Sequence, residues 1–215
     1  MPDSLPSAAL VSCHLERPLD DAAWTRFVAF ARRRPGGFPI LSLMRPPHEG
    51  EDREIWLERA REAAALGPFG HHTHWTSPTH ARPTGGDPAV RVREEAAWLR
   101  GEGLAPRFFC GGGWYTDDAV REAVAEIGYT DCTEREGGPR ELPLPTGGTL
   151  SELPTTHSIG RLSRAVLAPK LPSYVHAYFH DYDLLDARRR LAVTVALALL
   201  SRRAKPFDVS EAFAR

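Results

Sequence analysis

Residues 104–133 read LAPRFFCGGGWYTDDAVREAVAEIGYTDCT and contain one complete strand–helix–strand unit. Arg107–Cys110 is predicted to be a short strand, and the three glycines that follow allow a sharp turn. Thr116–Ile127 is predicted to be a helix that Gly128 closes, and Tyr129–Thr133 is the next strand. Because a strand followed by a crossover helix pairs in parallel with the next strand, this unit predicts a parallel sheet covered by helices.

The rest of the chain continues this alternation of strands and helices. Further strands are predicted at 8–14, 38–44, 69–74 and 174–180, and further helices at 20–34, 51–66, 87–100, 158–167 and 183–203, with a last short helix starting at 210. The stretch 134–148, rich in Gly, Pro and charge, is predicted to be a loop. We therefore expect an α/β fold, a distorted (β/α) barrel of about six or seven parallel strands in a single domain over residues 1–215. In such barrels, functional groups lie at the carboxyl ends of the strands.

The composition excludes several classes of function. The chain has 215 residues, and 27 Lys and Arg nearly balance 28 Asp and Glu, so no basic field favours nucleic acid as a partner. The longest apolar run, Leu191–Leu200, is shorter than the ~20 residues that span a bilayer. The first residues lack the features of a signal peptide, and the three cysteines have no CxxC spacing, so we expect a cytoplasmic protein with reduced thiols. The oligomeric state stays open.

Four of the nine histidines lie in the segment GHHTHWTSPTH, residues 70–80. His72 and His74 end the third strand on one face, because side chains alternate along a strand, whereas His71 points the other way. His80 follows a turn that can return it to the same place. Neutral imidazole is a common zinc ligand, so this segment predicts a metal site. The alternative is a surface loop that happens to be rich in histidine.

Two further candidates end other strands. Glu16 follows the first strand with the parity of His14, and it is either the carboxylate ligand of the metal or a solvated turn residue. His180 ends the last long strand and is a candidate general acid, since the ordinary pKa of histidine is ~6.5. His176, two residues earlier, is predicted to be a core histidine bonded to backbone. Asp181 and Asp183 follow at once and either orient the His180 ring or cap the next helix, and capping is the more common role for a residue placed as Asp183 is.

The glycine run FFCGGGWY can bring backbone N–H groups close to a ligand. Gly112 and Gly113 are candidates to hold an oxyanion, and Trp114, Tyr115 and Trp75 offer flat faces on which sugars pack. The alternative is a plain tight turn with core aromatic residues.

In order, the stretches SCHLERP, GHHTHWTSP, the run 104–133 and VHAYFHDYDLL resemble the motifs of the polysaccharide deacetylase (NodB-homology) family, over about residues 8–203. The resemblance implies a distorted (β/α) barrel and a divalent metal, most often zinc, held by a carboxylate and two histidines. It also implies hydrolysis of an N- or O-acetyl group on a carbohydrate. Position by position, His72 matches the first metal histidine, Thr73 the hydroxyl residue after it, His180 the general acid and the Gly112–Gly113 backbone the oxyanion turn.

The chain departs from that family pattern in three places. Thr76 stands where the second metal histidine usually lies, so His74 or His80 must serve, and a His-x-His-x-Trp version of the motif favours His74. The acidic pair of the first motif is absent, which leaves Glu16 as the carboxylate ligand and His14 as a possible base or extra ligand. Phe109 and Gly111 replace an arginine and a proline. A non-catalytic carbohydrate-binding relative, or another metallohydrolase barrel acting on amides or phosphate esters, therefore stays an alternative.

Overall fold

The structure is a computed structural model that describes residues 7–208. Its strands are β1 (Ser7–Leu15), β2 (Ile40–Met44), β3 (Phe69–Thr73), β4 (Phe108–Gly111), β5 (Thr130–Asp131), β6 (Arg140–Pro143), β7 (Thr149–Glu152), β8 (His157–Ser158), β9 (Tyr174–His180) and β10 (Ala204–Pro206). Its helices are α1 (Asp21–Arg33), α2 (Arg53–Leu66), α3 (Pro88–Gly101), α4 (Asp118–Ile127), α5 (Ile159–Leu167) and α6 (Ala187–Leu200). The helix expected from Ser210 lies outside the described residues.

The strands form one curled sheet in the order β6-β7-β5-β4-β3-β2-β1-β9-β8, with β10 beside β1. Every pairing is parallel except the β6–β7 hairpin. The segment between β7 and β8 bridges the two sides of the sheet. Leu153 N donates to Asp131 O (2.8 Å) on β5, and Thr156 N donates to His176 O (3.1 Å) on β9. The expected α/β barrel-like fold with mostly parallel strands is thus confirmed.

Side-chain alternation divides the core into an outer and an inner layer. The outward residues of β1, such as Val11 and Leu15, pack with the helices around fully buried Phe27 and Leu197. The inward residues, with Leu10 at the base of β1, form a separate cluster inside the sheet that also contains Leu41, Leu43, Phe108, Cys110, Cys132, Leu153 and Tyr174. Large apolar side chains therefore fill the base of the barrel, and polar side chains occupy the same inward rows at the carboxyl ends of the strands, which we call the barrel mouth.

Aspartate caps start the helices at the barrel mouth. The Asp20 side chain accepts from the Ala22 and Ala23 N–H groups at the start of α1, and Asp87 does the same for Ala89 and Val90 at the start of α3. Among residues 7–208, no helix is both long and apolar enough to cross a bilayer.

Three sequence predictions of secondary structure need correction. The segment 134–148 contains β6, whose exposed residues give no hydrophobic signal because the hairpin lies at the edge of the sheet. The helix expected from Asp183 begins only at Ala187, since Asp186 caps it and the residues Asp181–Leu184 form a tight 3₁₀ turn. That helix ends at Leu200, after which the short strand β10 pairs with β1.

Candidate metal and catalytic site

Three strands, β1, β3 and β9, bring the candidate histidines together at the barrel mouth. His14 ends the inward row of β1, and its ring lies 4.8 Å from that of His72 on β3 and 5.3 Å from that of His180 on β9. The His72 and His74 rings are 5.0 Å apart. These distances join ring centroids. We call these four residues together with Glu16 the histidine cluster.

Glu16, His72 and His74 each place one ligand atom within 4.8 Å of the others. The Nδ1 atom of His72 donates to the carbonyl of Cys110 (2.8 Å), and that of His74 donates to the carbonyl of Pro78 (3.0 Å). Because a carbonyl can only accept, each Nε2 is left with a free lone pair. Both Nε2 atoms are buried without a hydrogen-bond partner in the described chain. Oriented imidazoles with bare, buried acceptor nitrogens are what a metal site requires.

A second group of donor atoms overlaps the first and consists of His14, His72 and Cys110. His14 Nε2 is also buried without a partner. Cys110 is a weaker candidate ligand, because burial raises the pKa of its thiol well above the ordinary range and metals bind the thiolate. The geometry therefore favours Glu16, His72 and His74 as ligands, with His14 directly beside them.

The electrostatics of the histidine cluster keep the buried His14 and His72 rings neutral. Burial, reinforced by the neighbouring histidines, lowers the pKa of His14 well below its ordinary value, and burial with the charge of His74 lowers that of His72 to about 3. Burial alone would raise the pKa of the Glu16 carboxyl, but the nearby His74 and His180 rings outweigh it and hold that pKa below its usual range. At neutral pH His14 and His72 are thus neutral imidazoles beside the Glu16 carboxylate.

His180 occupies the exposed side of the cluster. Its Nε2 lies 3.5 Å from Glu16 Oε1, and its Nδ1 lies 3.4 Å from Asp183 Oδ2, which also accepts from the backbone N–H of His180. Asp183 therefore orients the catalytic candidate instead of capping α6, which corrects the sequence prediction. The Tyr182 ring stacks on His180 at 4.7 Å. A cavity of about 310 Å³ opens beside His180 and reaches Ile159 and Val193.

The glycine turn lies next to β3. Gly112 packs so closely against the carbonyls of Thr73 and Ala81 that it leaves no room for a side chain. Trp75 is buried and donates its indole N–H to Gly112 O (3.1 Å), so it supports the turn from behind. The Tyr115 hydroxyl donates to Asp117, and its ring packs on Trp75. Trp114, by contrast, lies 5.4 Å from His14 at the barrel mouth.

The remaining histidines of the sequence motifs lie elsewhere. His71 faces α3, as the alternation predicts, and bonds Glu95 (2.7 Å). His80 is exposed and belongs to neither group of donor atoms found among the described residues. His176 is fully buried between the Leu153 carbonyl (3.1 Å) and the Ser12 hydroxyl (2.9 Å), which confirms it as a core histidine.

Sequence reasoning missed three residues around the site. Cys110 shares a donor group with two histidines, Glu95 braces β3 from α3, and Arg135 lies over Trp114. Cys110 could have been predicted, because alternation along β4 places its side chain on the inward face of the sheet. The other two depend on how a helix and a loop are placed in space, which no local pattern reveals.

Comparison with known proteins locates the fold. No protein-family model matches the sequence, and the comparison with curated proteins returns no match. A family 4 carbohydrate esterase from Streptomyces lividans, solved in complex with acetate, superposes with a TM-score of 0.57 at 13% identity, over 97% of this chain and 96% of that chain. The 4-alpha-glucanotransferase from Thermococcus litoralis gives a TM-score of 0.58 at 10% identity over 96% of this chain, which spans 38% of that protein. At these identities the likeness establishes a shared fold.

Proposed function

We propose that this protein is a metal-dependent hydrolase that removes an N- or O-acetyl group from a carbohydrate. The observation that carries the proposal is the convergence of Glu16, His72 and His74 at the barrel mouth, with bare imidazole nitrogens pointing at one another beside His14 and His180. The fold shared with a family 4 carbohydrate esterase supports the same reaction class.

Glu16, His72 and His74 would hold the metal, and their imidazole and carboxylate groups are the ligands that zinc prefers. The fit rests on the two Nδ1–H···O=C bonds, which fix both rings, and on the unpartnered Nε2 atoms. A divalent cation at this position supplies Lewis acidity to an acyl carbonyl and eases the ionisation of a water.

The side chains around that position divide the proton transfers between them. His14 Nε2 is buried without a hydrogen-bond partner beside the proposed metal position, which makes His14 the candidate to accept the proton of the attacking water. His180, oriented by Asp183, donates a proton to the departing amine or alkoxide. Backbone N–H groups at Gly112–Gly113 are the candidates to stabilise the oxyanion of the tetrahedral intermediate.

The decisive experiment measures acetate release from a panel of acetylated sugars, together with the zinc content of the purified protein. His180→Ala should lower turnover roughly 100- to 10,000-fold, as loss of a general acid does, while zinc stays bound. His72→Ala should lose the zinc, whereas His80→Ala should keep it if His74 completes the site.

Two results would contradict the proposal. Sugar binding without acetate release from any substrate, at full zinc occupancy, would favour a non-catalytic carbohydrate-binding protein. Turnover of a phosphate ester or a cyclic amide, with none of acetylated sugars, would favour a different metallohydrolase.

A further inference from the structure

Trp114 has an unusual backbone conformation at the barrel mouth. Its φ is +60°, in the left-handed region that residues with a bulky side chain rarely adopt. Its ring lies 5.4 Å from the His14 ring and 4.9 Å from the Tyr178 ring. Backbone strain of this kind is concentrated at functional sites. The strained turn thus holds an aromatic wall directly beside the histidine cluster.

Arg135 lies on the outer side of that wall. Its guanidinium carbon is 4.9 Å from the centroid of the Trp114 ring, and its Nη2 donates to the Tyr178 hydroxyl at 3.5 Å. The side chain is exposed, and among residues 7–208 no carboxylate forms an ion pair with it. The adjacent Glu134 is paired with Arg121 instead (2.7 Å). Stacking on an aromatic ring orients the guanidinium and leaves most of its N–H donors free.

A second arginine provides a contrast. Arg17 lies over the Tyr182 ring at 5.3 Å, in a similar arrangement on the other side of His180. Tyr182, however, is surrounded by the carboxyl groups of Glu16, Asp181 and Asp183, whose charges offset that of Arg17. Arg135 is therefore a positive charge at the mouth that remains available to a ligand.

From this geometry we infer that Arg135 binds an anionic substituent, a carboxylate or a phosphate, of a carbohydrate held at the barrel mouth. A planar guanidinium with free parallel donors matches the two oxygens of either group. The Trp114 ring lies between Arg135 and His14, at 4.9 Å from the guanidinium carbon and 5.4 Å from the His14 ring, so a sugar held against this ring lies near both residues. The inference deepens the proposed function, on which it rests, by naming an acidic carbohydrate as the substrate class.

The test compares N-acetylglucosamine with N-acetylmuramic acid and N-acetylglucosamine 6-phosphate. Binding is followed by the fluorescence of the tryptophans, and acetate release is measured separately. The wild-type protein should bind at least one acidic sugar about tenfold more tightly than the neutral one, the lower end for a hydrogen bond to a charged group at an exposed position. The preference should shrink as salt is added. The two acidic sugars distinguish a carboxylate from a phosphate.

Arg135→Gln should remove this preference and leave the affinity for N-acetylglucosamine unchanged. Arg26→Gln, at an exposed position of α1, changes the net charge equally and should keep it. Equal binding of acidic and neutral sugars by the wild type, or an undiminished preference in Arg135→Gln, would overturn the inference. Acetate release without that preference refutes the anion site alone, whereas the preference without acetate release supports the anion site and contradicts the deacetylase proposal.

Discussion

Glu95 on α3 supports the end of β3, so its loss should weaken both the fold and the metal site. Its carboxylate accepts from the Thr73 hydroxyl (2.9 Å) and from Arg91 Nε (2.8 Å), and it bonds His71 Nε2 (2.7 Å). Arg91 in turn donates to the Trp75 carbonyl (2.6 Å). Burial works against ionisation, but these partners outweigh it and lower the pKa of Glu95. The contacts fix residues that alternate with His72 and His74 along the strand.

The size of the effect follows from what Glu95→Ala leaves behind. Thr73 and His71 are fully buried and would keep only their bond to each other (3.0 Å), and Arg91 would lose its counter-ion. Breaking a buried charged network costs about 3–5 kcal/mol, and the 14% exposure of the Glu95 side chain argues for the lower end. We expect urea unfolding to show a loss of about 3 kcal/mol, and zinc affinity to fall about tenfold because the braced strand positions two ligands.

Glu94→Ala is the matched control, since Glu94 is exposed on the same helix and its loss should change stability by less than about 0.5 kcal/mol. Glu95→Gln keeps an acceptor for Thr73 and should recover part of both losses. If Glu95→Ala and Glu94→Ala have the same stability and the same zinc affinity, the argument that this network braces β3 is wrong.

Two further predictions concern stability. Burial raises the pKa of Asp131 from 3.8 to about 6, so its contribution to stability is full below pH 3.8 and is lost as the pH rises to 6. In urea titrations, the free energy of unfolding of Asp131→Asn minus that of the wild type should therefore rise by up to about 3 kcal/mol between pH 4 and 7. A difference that does not change with pH would contradict the raised pKa. In Gly112→Ala the new methyl group would clash with the Thr73 carbonyl and lie within 2.8 Å of Ala81 O, so thermal unfolding should show a loss of about 1–3 kcal/mol in the free energy of unfolding. Gly138 lies in open space, so the control Gly138→Ala should cost less than about 0.5 kcal/mol.

Much of the fold and the inner half of the site could be predicted from local patterns. Alternation along a strand predicts which face of the sheet a side chain occupies. A residue at the carboxyl end of a parallel strand is predicted to lie at the barrel mouth. These two rules place His14, His72 and His180 together without any knowledge of distance. They fail for β6, whose residues are exposed on both sides, and for the start of α6, where Asp183 and Asp186 are equally good caps by sequence.

The same alternation explains why the outer half of the site was missed. On β3, His72 faces the barrel while His71 and Thr73 face α3, so one strand carries a proposed metal ligand on one side and a charged network on the other. The partners of the inner face are other strand ends, which parallel pairing brings together by rule. Glu95 is the partner of the outer face. It contacts His71 only because the side of α3 that carries Glu95 faces β3, and this orientation of the helix is determined by tertiary packing. Where a strand has polar residues on both faces near its carboxyl end, we therefore expect the covering helix to carry the residue that binds the outer face.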